Sequence, residues 1–264
     1  MIIKNYALGK WIEGEGEELK AFNAINGDLI GSVSSAGLDY KAMSEYAVKT
    51  GGQALRKMTF QERGRMLKAL ALHLMSIKGK FYALSAATGA TKIDSWIDIE
   101  GGIGNLFANA SLRKQFPDLP YYVDGSAAAL SKNGTFIGHH IQVPKEGVAI
   151  HINAFNFPIW GMLEKVAVNF MAGVPAIVKP SEHTSYLTEL MVKEIVDSKI
   201  LPEGSLQLVT GLGRGIVDHL TPQDVVTFTG SAATGRILKT LPFQHFYIVI
   251  KLNYHFSNLL FFMR

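Results

Sequence analysis

Several short segments in the second half of the chain carry side chains suited to chemistry on a phosphorylated, hydroxyl-bearing ligand. Val225-Val-Thr-Phe-Thr-Gly-Ser231 reads as a strand ending at Thr229-Gly230 and a helix opening at Ser231, with Gly235 one turn on. A helix N-terminus presents free backbone N–H groups and a partial positive charge, which suits a phosphate. Gly230 lets a ligand approach the backbone and the Ser231 hydroxyl can donate to a phosphate oxygen; an ordinary serine cap after a glycine turn has the same sequence. Lys179 closes the apolar strand-like run Ala176-Ile-Val178. A lysine at the carboxyl end of a strand in an open α/β sheet faces the crevice where ligands bind, within reach of phosphate or ribose. Glu182 can accept from ribose hydroxyls, or it is a first-turn carboxylate complementing the helix dipole beside a solvated Lys179. Asn156 lies between Phe155 and Phe157, ahead of Pro158. Its amide can donate to a developing oxyanion, or it is a turn asparagine bonded to its own backbone. Gly211-Leu-Gly-Arg-Gly215 is either a pocket wall for a purine ring or a tight connection. His151 reads as a structural histidine, and Glu164 as a supporting group or a plain helix charge.

The elements that must position these residues alternate. Gly147–Ile152, Val174–Val178, Ser205–Val209 and Val225–Thr229 have strand character. They precede helical stretches expected from about Pro158 to Met171, Thr184 to Lys199, near Gly215–Leu220, and from Ser231. Four strand–helix units imply a parallel sheet with right-handed crossovers and flanking helices, a Rossmann-like α/β fold. Upstream, Asn26-Gly-Asp28 and similar turns predict a hairpin or two within residues 1–38. Thr59-Phe-Gln-Glu62 is a capping box, and Leu67, Leu70, Leu74, Ile77 and Phe81 follow at helical spacing. Another helical stretch is expected from about Thr91 to Phe116. Residues 121–143 switch to strands around the Asn133-Gly134 turn. The expected organisation is therefore 1–120, a hairpin at 121–143, a dinucleotide-type core at 144–240, and a tail at 241–264.

Composition narrows the function classes. The chain has 264 residues, 48% hydrophobic and 18% charged, with a formal net charge of +4. Its lysines and arginines are scattered, so no nucleic-acid stripe is expected. There is no cysteine, hence no disulfide, no thiolate metal site and no thiol nucleophile; no metal site is expected. The first residues lack the pattern of a signal peptide and no apolar run approaches the length of a membrane span, so a cytoplasmic protein with no membrane partner is expected. Residues 241–264 contain seven aromatics and no acidic residue, against 20 aromatics in the preceding 240. This tail reads as translation of an unintended frame, or as a genuine apolar terminal element.

Taken in order, Met58-Thr-Phe-Gln-Glu-Arg63, Phe81-Tyr-Ala-Leu-Ser85, Thr88-Gly-Ala-Thr91, Asp94-Ser-Trp-Ile-Asp-Ile-Glu100, Gly101-Gly-Ile-Gly104, His151-Ile-Asn-Ala-Phe-Asn-Phe-Pro158, Lys179-Pro-Ser-Glu182 and Val225–Gly235 resemble the aldehyde dehydrogenase superfamily. They are most similar to the dehydrogenase domain of bifunctional phenylacetate-degradation proteins, over roughly residues 1–240. The resemblance implies NADP or NAD as cofactor and an aldehyde substrate, a CoA-linked semialdehyde of aromatic-ring degradation. It implies Asn156 as the oxyanion-stabilising amide, Lys179 and Glu182 at the adenosine ribose, Gly230 and Ser231 at the pyrophosphate, Gly211 in the cofactor pocket wall, and 121–143 as an oligomerisation hairpin that makes the intact protein a homo-oligomer. The family's reaction uses a cysteine thiolate and a general-base glutamate. This sequence has no cysteine, and no Glu or Asp follows residue 240. The expectation is an incomplete aldehyde dehydrogenase fold, truncated before those two residues and inert as written. The alternatives are a non-catalytic nucleotide-binding module or an oligomer-forming fragment.

Overall fold

The structure is a computed structural model, described here for residues 1–240 and for the strand Phe246–Tyr247. The expectation for the rest of the 241–264 tail lies outside the described residues. Five short strands come first: β1 (Ile2–Ile3), β2 (Asn5–Ala7), β3 (Lys10–Ile12), β4 (Leu19–Phe22) and β5 (Leu29–Val33). β2 and β3 form one hairpin and β4 and β5 another. The Leu8-Gly9 turn of the first has both φ angles positive, 53° and 75°, the geometry that matches strand twist in a two-residue loop.

Helices follow. α1 (Tyr40–Tyr46) runs through the π turn Ala47–Gly52 into α2 (Gln53–Lys57). α3 (Phe60–Ser76) starts at the Thr59 capping box, with Thr59 Oγ1 accepting from Glu62 N and Glu62 Oε2 accepting from Thr59 N at 2.8 Å. Its stripe Leu67, Leu70 and Leu74 is fully buried. α4 (Gly79–Ser85) leads to α5 (Lys92–Trp96), the π turn Ile97–Gly101 and α6 (Gly102–Ser111). β6 (Tyr122–Ala129) and β7 (Ile137–Gln142) pair only with each other and are exposed along most of their length.

The remaining elements are β8 (Ala149–Ile152), α7 (Pro158–Ala172), β9 (Ala176–Lys179), α8 (Ser185–Asp197), β10 (Leu206–Leu208), β11 (Val225–Phe228), α9 (Ala232–Thr240) and β12 (Phe246–Tyr247). The main sheet has the order β12-β11-β8-β9-β10-β2-β3, with β8 to β12 parallel and β2–β3 added antiparallel at the far edge. Strand residues alternate between two apolar layers. Ala149, Ala176, Val178 and Val225 join a layer with Leu70, Phe170 and Leu187 from α3, α7 and α8. Val148, Ile150, Ile177 and Val226 join Met43, Ala47, Ile216 and Val217 on the other face. A parallel sheet covered on both faces needs this period-2 pattern with apolar residues at both phases.

The helix expected near Gly215–Leu220 is absent: residues 214–219 form turns. Gly211, Gly213 and Gly215 all have positive φ, between 62° and 86°, so the segment cannot hold a helical ladder. It closes instead through short bonds such as Ile216 N to Gly213 O at 3.1 Å and Asp218 N to Gly215 O at 3.0 Å. It still packs Ile216 and Val217 on the sheet, which is all a crossover requires.

Candidate functional site

From β8 the chain steps outward to β9 and β10, then returns to lay β11 on the opposite side of β8. With right-handed crossovers, reversing direction puts the connection on the other face. α7 and α8 accordingly lie on one face, and the 210–224 connection, through Ile216 and Val217, on the other. The two sets diverge between β8 and β11, and the crevice outside the carboxyl ends at such a switch point is where open α/β sheets hold ligands.

The register aligns the candidate residues along that crevice. Phe228 pairs with Ile152, and Ile152 with Lys179. Each ladder continues one residue further: Thr229 N donates to Ile152 O, Asn153 N to Lys179 O, and Val209 N to Val178 O, each at 2.9 Å. The segments 229–231, 153–157, 179–182 and 210–213 therefore leave the sheet side by side.

Lys179 is 8% exposed, with Nζ 3.6 Å from Glu182 Oε2. Burial lowers the ammonium's pKa and the Glu182 carboxylate counteracts it. Its stem lies against Gly213, where a Cβ would stand 3.1 Å from Lys179 Cγ. Gly211 is buried against the β5 extension: a Cβ there would meet Ser35 N at 3.0 Å. The glycine beside Lys179 is thus Gly213, whose N–H is held by Ser35 Oγ at 2.9 Å. Gly230 has no room for a side chain, since a Cβ would lie 2.5 Å from Phe228 Cζ. Ser231 caps α9, its Oγ accepting from Thr234 N at 3.1 Å and lying 3.0 Å from Thr234 Oγ1.

Asn156 sits exposed in the loop between β8 and α7, and its amide has no partner among the described residues. The loop is pinned by Thr184 Oγ1 donating to Phe155 O at 3.1 Å. Its other end is fixed by a residue that sequence reading missed. Asp98, 3% exposed in the π turn before α6, accepts from Trp160 N at 2.7 Å. Burial pushes its carboxyl up to about 7, while bonds from the Trp160 and Ile159 backbone pull the other way. The N-cap residue of α7, Phe157, offers no side-chain bond, so Asp98 caps that helix from 62 residues away. Gly101 and Gly102 make the contact possible: a Cβ at 101 would stand 2.3 Å from the Trp160 indole, and one at 102 lies 3.0 Å from Trp160 Cα. No local pattern marks that pairing.

On α7, Glu164 accepts from Trp160 Nε1 at 2.9 Å and from Lys165 Nζ at 3.0 Å. Lys165 is buried, which lowers its pKa against the pull of Glu164, and it also donates to Gly161 O at 2.8 Å. His151 is structural, fully buried between Thr227 Oγ1 at 2.7 Å and Asn169 Oδ1 at 2.8 Å. Burial depresses its pKa to about 3, so it stays neutral. Among the described residues no cluster of His, Cys, Asp or Glu could hold a metal, and no helix is long and apolar enough to cross a membrane.

The model of the aldehyde dehydrogenase family matches residues 11–250, and the chain belongs to that family. It is 39% identical over 243 residues to a 3,4-dehydroadipyl-CoA semialdehyde dehydrogenase of Aromatoleum evansii, covering 92% of this chain and 47% of that one. It is 30% identical over 243 residues to a D-glyceraldehyde dehydrogenase (NADP(+)) of Picrophilus torridus, covering 89% and 46%. Among solved structures it resembles a NAD-dependent benzaldehyde dehydrogenase from Corynebacterium glutamicum, with TM-score 0.79, 21% identity, and coverage of 93% and 54%. Betaine aldehyde dehydrogenase from Staphylococcus aureus in complex with NAD+ matches with TM-score 0.77, 21% identity, and coverage of 93% and 49%. The chain spans about half the length of the curated relatives it matches.

Proposed function

We propose that residues 144–240, together with the strands and helices of 1–120, form the dinucleotide-binding part of an NAD- or NADP-dependent aldehyde dehydrogenase acting on a CoA-linked semialdehyde of phenylacetate-type aromatic degradation. The observation that carries this reading is the convergence of Lys179, Glu182, Gly230, Ser231 and Asn156 on one switch-point crevice. The substrate class is supported by the Aromatoleum evansii relative.

The residues present fit a dinucleotide. Lys179 is held at the strand end with a carboxylate partner it can share with a ribose hydroxyl. Glu182 favours a free 2′-hydroxyl, and Lys179 would favour a 2′-phosphate, so the pair is the selector between NAD and NADP. α9 opens at Ser231, and its first backbone N–H groups offer the setting a pyrophosphate needs, while Gly230 is required by the Phe228 ring packed against it. The bound nicotinamide would accept hydride from the substrate. Asn156, its amide unengaged, would donate to the oxygen that gains charge when the aldehyde carbonyl is attacked. None of the 264 residues is a cysteine, so a thiolate for that attack has to come from outside them, and on this reading the chain alone does not oxidise aldehydes. The β6–β7 hairpin, exposed on both faces with Ile137 and Ile141 outward, would join copies into an oligomer in the cytoplasm.

Titrating the purified chain with NAD+ and NADP+ tests the reading. Saturable binding that Lys179→Ala abolishes is expected, with no aldehyde oxidation. A folded chain that binds neither dinucleotide overturns it, and NAD(P)-linked aldehyde oxidation by the pure chain overturns the inert part.

A further inference from the structure

Among the described helices α3, α5 and α8 begin behind a threonine, and the third threonine is used differently. Thr59 and Thr91 have extended backbone, and each accepts from the N–H of the residue three on, Glu62 and Asp94, the ordinary threonine cap. Thr184, before α8, has φ −126° and ψ 14° and makes no side-chain cap. It is 5% exposed, and its Oγ1 donates instead to Phe155 O at 3.1 Å. The neighbouring hydroxyl does not take over the cap, since Ser185 Oγ donates to Glu182 O at 3.1 Å. A threonine that leaves its own helix uncapped forgoes a stabilising bond. Local rules of this kind are broken mainly where function requires it, so the bond to Phe155 calls for an explanation.

Both ends of that bond lie at the crevice. Phe155 precedes Asn156 in the loop between β8 and α7, where the two are exposed. Thr184 follows directly on the segment that holds Lys179 and Glu182. The loop is thereby fastened to that segment twice, by Asn153 N donating to Lys179 O at 2.9 Å and by Thr184 Oγ1 donating to Phe155 O. An amide that stabilises a developing charge acts by being held in place beforehand, and an exposed loop gains little of that order from burial. We propose that Thr184 is a positioning residue for Asn156: its hydroxyl hangs residues 153–157 on the segment that carries Lys179 and Glu182, so that the amide and the cofactor site keep one geometry. The proposal rests on the dinucleotide reading for what the two segments hold.

Thr184→Val removes the hydroxyl at nearly the same volume, and Thr184→Ser keeps it. Amide hydrogen exchange, read by mass spectrometry on the free chain, should run about 3- to 10-fold faster in residues 154–157 of the valine variant, the worth of one neutral hydrogen bond. The serine variant should stay within about twofold of the wild type. Exchange in the first turn of α8, residues 185–188, should not change, because the hydroxyl does not cap it. Unchanged exchange at 154–157 in the valine variant, faster exchange confined to 185–188, or a serine variant as fast as the valine one overturns the assignment. Repeating the exchange with saturating AMP tests the link between the two segments, since AMP brings the adenosine ribose that Lys179 and Glu182 would hold. AMP should slow exchange at 154–157 by about twofold or more in the wild type and the serine variant, and leave the valine variant as fast as before. Equal slowing in all three overturns the link. A folded chain that binds neither AMP nor NAD+ removes the dinucleotide reading, while the contrast between valine and serine still decides whether Thr184 holds the loop.

Discussion

Two helices open at the switch-point crevice, and they are fastened in opposite ways. α9 is capped by the residue that precedes it: Ser231 Oγ takes Thr234 N at 3.1 Å, in an exposed turn. α7 has Phe157 before it, with no side-chain cap, and depends on the buried Asp98 from another helix pair. A local cap forms with the helix and can fray with it. A tertiary cap exists only when α6 and α7 are docked through Gly101 and Gly102. The loop carrying Asn156 is therefore set by global packing, and the one carrying Ser231 by local sequence.

The comparison breaks most visibly at Asp98. Asp98→Ala leaves the backbone N–H groups of Trp160 and Ile159 without a partner in a buried place, a cost of about 3 kcal/mol at pH 6. Urea denaturation at that pH measures it, and an unchanged midpoint would mean that α7 holds its start without Asp98. The same residue gives a pH signature. Burial pushes its carboxyl up to about 7 in the folded chain from an ordinary 3.8, so between these values the folded state binds more protons than the unfolded one. Stability from this group is present at the acid end, is lost as pH rises towards 7, and is flat above. Asp98→Asn, which retains an accepting oxygen, should gain on the wild type by about 2 kcal/mol between pH 5 and pH 7. Parallel denaturation curves at the two pH values check it; a gap independent of pH would place the carboxyl's titration elsewhere.

That contrast also marks what could be read in advance. The alternation of apolar strands with helices, the Thr59 box and the strand-end positions of Lys179 and Gly230 are local patterns, and local patterns are legible. The period-2 layers behind Ala149 and Ile150 follow from the same alternation. Asp98 was not legible, because a carboxylate on an apolar helix looks alike whether it caps a distant helix or faces solvent. Thr184 was hidden by its place: a threonine at a helix start reads as that helix's own cap, and only the fold hands its hydroxyl to Phe155 O. The missing helix after Gly213 shows a local signal overridden, since the apolar spacing of Ile216, Val217 and Leu220 mimics a helical face while the glycines at 211, 213 and 215 turn the chain by positive φ. Gly211 and Gly213 differ for a similar reason: both belong to one glycine-rich turn, and only the packing of Ser34 and Ser35 assigns Gly211 inward and Gly213 to Lys179.

The smallest expected effect sharpens the other side of the comparison. Ser231→Ala removes a local, exposed cap, which costs about 1 kcal/mol, and Ser231→Gly costs only a few tenths because glycine is tolerated at that position. Both values should be independent of pH between 5 and 8, unlike those at Asp98. The hydroxyl has a second use on the dinucleotide reading. If it only caps α9, alanine and glycine variants should differ in stability and bind NAD+ alike. If it also donates to the pyrophosphate, both should lose about 3- to 10-fold in NAD+ affinity, the glycine variant as much as the alanine one despite its near-native stability. Titrating both variants separates the two uses, since stability follows the cap and affinity follows the hydroxyl.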